Sequence, residues 1–171
     1  MNIRLRPVAP DDAATLERIG PDLDGHVGYG GDPARPPKGG KKWAEGIIKR
    51  LESAFWARVI EIESHMVGEV KLHHHDAQNR SARLAIGIFR PEYRSRGVGR
   101  KAIHQTLIHA FGPLDLHRVE LRVLANNTRA VRAYEAAGFQ HEGRLRHNAM
   151  IGGEWQDDLV MSVLSTDTRP S

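Results

Sequence analysis

The chain predicts an α/β fold of the α+β kind, with a mixed, mostly antiparallel central sheet flanked by helices and built as a single domain over residues 1–171. Three patterns carry this expectation. Strand candidates follow one another between residues 55 and 89 with only turn residues between them, as in an antiparallel meander. A helical stretch then separates the last of them from a further alternating segment, and a strand-helix-strand order implies a parallel crossover. The tail doubles back at Gly152-Gly153 as a hairpin does. A chain of 171 residues can bury a sizeable core and is short for two ordinary domains.

Residues 3–8 alternate apolar and basic side chains, the pattern of a half-buried strand. Asp11 or Asp12 can cap a helix running to Ile19, with Leu16 and Ile19 on one face, and Gly20-Pro21 stops it. Residues 20–40 are rich in Gly and Pro and poor in large apolar side chains, so they predict a long loop, either a surface excursion or a lid over a substrate. Trp43, Ile47, Ile48 and Leu51 fall at helical spacing and face a core. Residues 55–62, 66–73 and 83–89 are the strands of the meander. Residues 97–111 form a helix with Ala102, Ile103, Leu107 and Phe111 inward, ended by Gly112-Pro113. Val119, Leu121 and Val123 alternate with Glu120 and Arg122 in a strand, and residues 129–137 make a short helix stopped by Gly138. Residues 139–151 and 155–163 are the hairpin arms, with Trp155, Leu159, Met161 and Val163 on one face.

Composition narrows the function. Hydrophobic residues at 40% and charged residues at 27% describe a soluble globular protein. With no Cys there is no disulfide, no thiolate nucleophile and no zinc-thiolate site, which suits a reducing cytoplasm. Met1-Asn2-Ile3-Arg4-Leu5-Arg6 carries charge where a signal peptide needs an apolar stretch, and no apolar run is long enough to span a bilayer, so no membrane partner is expected. The net charge of +4 is scattered except over residues 90–101, a local anion site rather than a groove for nucleic acid.

Two segments carry chemistry. Arg94-Ser95-Arg96-Gly97-Val98-Gly99-Arg100 places glycines at the start of a helix, where main-chain N–H groups lack intrahelical partners and favour an anion. It lacks the Gly-Lys-Ser/Thr end of a Walker loop, and Ala102 breaks the dinucleotide pattern. The second segment runs from Asn127, a helix cap, to Tyr134 and on to Gly138-Phe139. A phenol with an ordinary pKa near 10 can donate a proton to a leaving thiolate. His73-His74-His75-Asp76 is no metal site on this pattern, since adjacent strand side chains point to opposite faces.

Together these segments, R-x-x-G-x-G followed by N-x-R-A-x-x-x-Y-x-x-x-G-F, resemble the GNAT superfamily of acetyl-CoA-dependent N-acetyltransferases. The tail from Gly138 to Arg146, with Gly152, Asp157 and Met161, is most similar to the branch of ribosomal-protein N-terminal and spermidine acetyltransferases. The resemblance implies acetyl-CoA as donor and no metal. It implies that the backbone of Ile86, Ile88, Phe89 and Arg90 pairs with the pantetheine arm, and that the amides of Ser95, Arg96, Gly97, Val98, Gly99 and Arg100 hold the pyrophosphate, while the side chains of Arg94, Arg96, Arg100 and Lys101 add charge-assisted bonds. It further implies that Asn127 contacts the cofactor near the thioester and that Tyr134 protonates the departing thiolate.

Many members of that branch carry an acidic residue where this chain has Ala85, so the base must come from elsewhere. Glu69 is the first candidate, with His73 and Asp157 as alternatives. The expected reaction is direct attack of a primary amine on the thioester in a ternary complex, the amine belonging to a small molecule, a polyamine or a protein N-terminus. The competing expectation is a catalytically weak acyl-CoA sensor of the same fold, and an exposed sheet edge leaves room for a homodimer.

Overall fold

The computed structural model describes residues 2–168. Its strands are β1 (Arg4–Arg6), β2 (Trp56–Ile62), β3 (His65–Asp76), β4 (Ser81–Ile88), β5 (Arg118–Leu124), β6 (Gln140–Ile151) and β7 (Glu154–Leu164). Its helices are α1 (Asp12–Ile19), α2 (Leu23–Gly28), α3 (Lys41–Glu52), α4 (Val98–Phe111) and α5 (Thr128–Glu135). The strands join in one seven-stranded sheet, ordered β1-β2-β3-β4-β5-β7-β6. Every pairing is antiparallel except β4 with β5, the crossover that α4 makes. Among the described residues no helix is long and apolar enough to cross a membrane.

The parallel pair is short. β4 and β5 run in register only from Ser81 opposite Arg118 to Arg83 opposite Glu120, and beyond that point they part. The sheet thus has two arms joined at the base, β1 to β4 on one side and β5, β7 and β6 on the other.

Alternation along the strands divides the side chains between two cores. On one face Val70, Leu72, Leu84, Val119, Leu121, Met161 and Val163 pack with Val98, Ala102, Ile103 and Leu107 of α4 and with Tyr134 of α5. On the other face α1 and α3 cover the first arm, burying Leu16, Ala44, Ile47 and Leu51 against Val59 and Met66. Each large apolar side chain so buried contributes about 1.5–3 kcal/mol. The remainder of that second face, on β4, β5 and β7, carries polar and small residues and opens into a cleft.

Several local expectations are corrected. Residues 20–40 contain a helical turn, α2, whose cap is Asp22 accepting from the Gly25 amide at 2.5 Å. Neither Asp11 nor Asp12 caps α1 with its side chain. Asp12 is buried instead and accepts from both terminal nitrogens of Arg6, at 2.8 and 2.7 Å, and from the Ala9 amide. β3 runs through the histidine triplet to Asp76, with His74 at φ 50° where the register with β4 shifts. Trp56 lies in the core, whereas Trp155 is exposed and stacks on His147.

Candidate active site

Where β4 leaves β5 it becomes an edge in the middle of the molecule. In an antiparallel ladder the main-chain groups of successive residues point to alternate sides. The Phe89 amide turns toward β3, donating to the Val67 carbonyl at 2.9 Å, so Ile86 and Ile88 face the gap. The Ile88 carbonyl does so visibly, accepting from Arg94 Nε and Nη2 at 3.2 and 2.8 Å.

The glycine turn closes the end of that gap. Ser95 at φ 56° and Gly97 at φ 77° bend the chain into α4, and the first helical bond is from Lys101 N to the Gly97 carbonyl. The amides of Val98, Gly99 and Arg100 precede it and have no intrahelical acceptor. A Cβ placed on Gly97 or Gly99 would meet nothing within 4 Å, so the approach to these amides is open.

The side chains of the turn depart from expectation. Arg94 is no free phosphate ligand: it turns inward, only 9% exposed, and its charge is matched by Asp22, with Asp24 at 3.9 Å. Arg90 folds back to the Met66 carbonyl at 3.1 Å and lies outside the cleft, and Val98 is in the core. Arg96 is exposed and does not line the cleft, whereas Arg100 does.

On the α4 side of the gap stands α5. Asn127 caps it, its Oδ1 accepting from the Ala130 amide at 3.2 Å. Two turns on, Tyr134 is 9% exposed, packs edge-on to Phe139 at 5.8 Å and lines the cleft. Burial raises its pKa to about 12, because the phenolate would lose its water. The group therefore keeps its proton throughout the physiological range.

The opposite wall belongs to β3, α2 and α3. Glu69, 5% exposed, sits across from Gly87, and Lys71 sits across from Ala85. The carboxylate therefore reaches the face of β4 on which Ala85 offers none, delivered from the neighbouring strand. Glu69 Oε1 pairs with Lys71 Nζ at 3.4 Å, while its buried Oε2 has no hydrogen-bond partner among the described residues. Such an atom costs about 1–3 kcal/mol unless something satisfies it. Tyr29, following α2, lies on the same spot: a Cβ on Gly87 would be 2.5 Å from its hydroxyl. The Tyr29 residue as a whole is half exposed, yet desolvation and the nearby Glu69 raise its hydroxyl well above the usual phenol range.

The alternative bases are elsewhere. Asp157 is held by the His147 amide at 2.8 Å and Arg144 at 2.9 Å, outside the cleft, and the strand's alternation presents Asp158 to it instead. His73 lies farther along β3 beside Arg83, and desolvation lowers its pKa to about 4. The cleft has a volume of about 930 Å³ and brings together Glu69, Ile86, Ile88, Phe89, Arg94, Ser95, Gly97, Gly99, Arg100, Asn127 and Tyr134 of the residues singled out in the sequence. Tyr29, Arg50, Arg122 and Asp158 join them without any sequence motif to mark them. Among the described residues no cluster of three or more His, Asp or Glu could hold a metal ion.

A sheet whose parallel pair parts over a glycine turn, with a phenol on one side of the opening and a carboxylate on the other, defines an N-acetyltransferase fold. The chain belongs to the GNAT acetyltransferase family: the acetyltransferase (GNAT) domain matches residues 2–140. It is 34% identical over 108 residues to the spermidine N(1)-acetyltransferase of Vibrio cholerae, which is 63% of this chain and 62% of that enzyme's length. An uncharacterized prophage-derived N-acetyltransferase of Bacillus subtilis is 26% identical over 95% of this chain and 89% of its own. Among solved structures, the Vibrio cholerae spermidine N-acetyltransferase in complex with CoA and spermine superposes with a TM-score of 0.80 at 26% identity, covering 96% of each chain. A GNAT acetyltransferase from Bacillus anthracis shares the fold at a TM-score of 0.82 and 19% identity, over 98% of this chain and 97% of its own.

Proposed function

We propose that residues 1–171 act as one acetyl-CoA-dependent N-acetyltransferase domain that acetylates a primary amine by direct attack in a ternary complex. The observation that carries this is the shared position of two groups: Tyr134, a protonated donor, and the unpartnered Oε2 of Glu69 both line the cleft that β4's free edge runs along.

The residues divide the work. The main chain of Ile86 and Ile88 pairs with the pantetheine arm as a strand would. Val98, Gly99 and Arg100 direct amides at the pyrophosphate, helped by the dipole of α4 and the Arg100 guanidinium. Ser95 and Gly97 shape the turn, and Arg94 holds it to β4 and α2. Glu69 takes the proton that an ammonium must lose before its nitrogen can attack, directly or through a water. Main-chain N–H groups polarise the thioester carbonyl, and Tyr134 gives its proton to the departing sulfur.

A sensor of acyl-CoA has no use for an unsatisfied carboxylate facing a phenol across the donor's path. Acetyl-CoA is the donor, with no metal. The absence of Cys favours the cytoplasm. The outer strand β6, exposed along most of its length, offers an edge for a homodimer.

Calorimetry with CoA and acetyl-CoA, followed by thiol release in the presence of an amine panel, tests the proposal. Binding with amine-dependent release is expected, and a protein that ignores both CoA and its thioester is not this enzyme.

A further inference from the structure

The cleft beyond Tyr134 has a charge pattern of its own, drawn from both arms of the sheet. Asp158 is hydrogen bonded by Asn148 at 2.7 Å, and Glu69 shares one oxygen with Lys71. Arg50 on α3 and Arg122 on β5 also line the cleft, and among the described residues neither guanidinium has an ion pair or hydrogen bond. Neighbouring cations on the sheet are treated differently. Arg83 is matched by Glu120 at 2.8 Å, and Arg118 by Glu142.

Arg50 is near enough to the Tyr29 hydroxyl to act on its ionisation, and that hydroxyl also feels Glu69 and Tyr134. Arg50 thus shares the cleft with Glu69 and Tyr29 and has no ion pair of its own among the described residues. α2 and Tyr29 roof this part of the cleft against Gly87.

We infer that the acceptor is a small amine carrying a carboxylate, its nitrogen directed to Glu69 and its carboxylate to Arg50 and Arg122. This rests on the acetyltransferase proposal and refines its substrate. A polycation such as the spermine bound in the related Vibrio cholerae structure would leave Arg50 and Arg122 unmatched here, although Glu69 and Asp158 also line the cleft. A carboxylate gives a planar partner that guanidinium groups bind in paired hydrogen bonds.

The test is a matched panel of amines with the purified protein and acetyl-CoA: amino acids of differing chain length, each beside its carboxamide, and spermidine. CoA release is followed alongside calorimetric acetyl-CoA affinity. At least one acid should exceed its amide tenfold or more in kcat/KM, with spermidine below both. Arg50→Glu and Arg122→Glu should each reduce kcat/KM for that acid at least tenfold, chiefly through KM, while changing the amide less than twofold. Both positions are exposed, so folding should survive the exchange.

Equal use of acid and amide, preference for spermidine, or acetyl-CoA binding with no acid turned over would each overturn this inference and leave the acetyltransferase proposal standing. No affinity for acetyl-CoA and no CoA release with any amine would instead remove both.

Discussion

Tyr134 and Glu69 are buried on opposite sides of one opening, and burial acts on them in different ways. For the phenol it is a means of keeping the proton: the pKa near 12 leaves no phenolate at neutral pH. Tyr134→Phe should lower kcat by about a hundredfold, the scale of a general acid, and leave acetyl-CoA affinity nearly unchanged. Steady-state kinetics beside calorimetry decide this, and turnover equal to wild type would take the proton-donor role from Tyr134. Glu69→Gln keeps the shape and the contact with Lys71's wall but cannot accept the amine proton, so kcat should again fall by about a hundredfold. The phenol was legible in the sequence because its helix carries a spaced motif. The open oxygen of Glu69 was not, because it depends on the register that sets Glu69 across from Gly87, a property of two strands. The inward turn of Arg94 was hidden for a similar reason: Asp22, its partner, lies 72 positions away.

Among the elements, the turn into α4 depends on glycine at one position for backbone reasons and at another for access. At Gly97 the φ of 77° disfavours any side chain, most of all a β-branched one. Gly97→Val should strain the turn by about 1–3 kcal/mol and weaken acetyl-CoA binding, with kcat at saturation less affected. Isothermal titration and a saturation curve read the two effects apart. At the base of the second arm, Glu142 is held down at a pKa of about 2 by hydrogen bonding from Arg118 and Ser162, against the opposing effect of burial. A carboxylate depressed in the folded state stabilises it above the unfolded pKa, and loses that contribution as pH falls from about 4.5 to about 2. Glu142→Gln should therefore make urea stability fall less steeply across that window. The difference should shrink in high salt, because both partners are partly exposed.

Strands, long helices and the hairpin were legible as elements because each carries its period over a whole segment. α2 was not, being six residues long with two glycines and no buried side chain, so that only the Asp22 cap and tertiary contacts reveal it.

At the level of the whole molecule, the two arms of the sheet meet in parallel over three residue pairs. A donor lying along β4 and held by α4 and α5 would brace one arm against the other. Acetyl-CoA at a hundred times its dissociation constant should add about 2.7 kcal/mol to stability. For a domain of this size that raises Tm by roughly 5–10 °C, measurable by calorimetric melting. The order of elements in the sequence was enough to imply the crossover, but the parting of β4 from β5 was not legible, because local hydrophobic alternation is the same in a strand that keeps its neighbour and in one that loses it.

That parting also has a cost unrelated to catalysis. The edge at Ile86 and Ile88, where Arg94 takes the Ile88 carbonyl, is a template for any extended chain, including an unfolded copy of this protein. α2 is drawn across the template by Asp22 on Arg94, by Gly28 beside Asn127 and by Tyr29 on Gly87. The segment that walls the cleft thus also covers a sheet edge of the kind that otherwise pairs with stray strands.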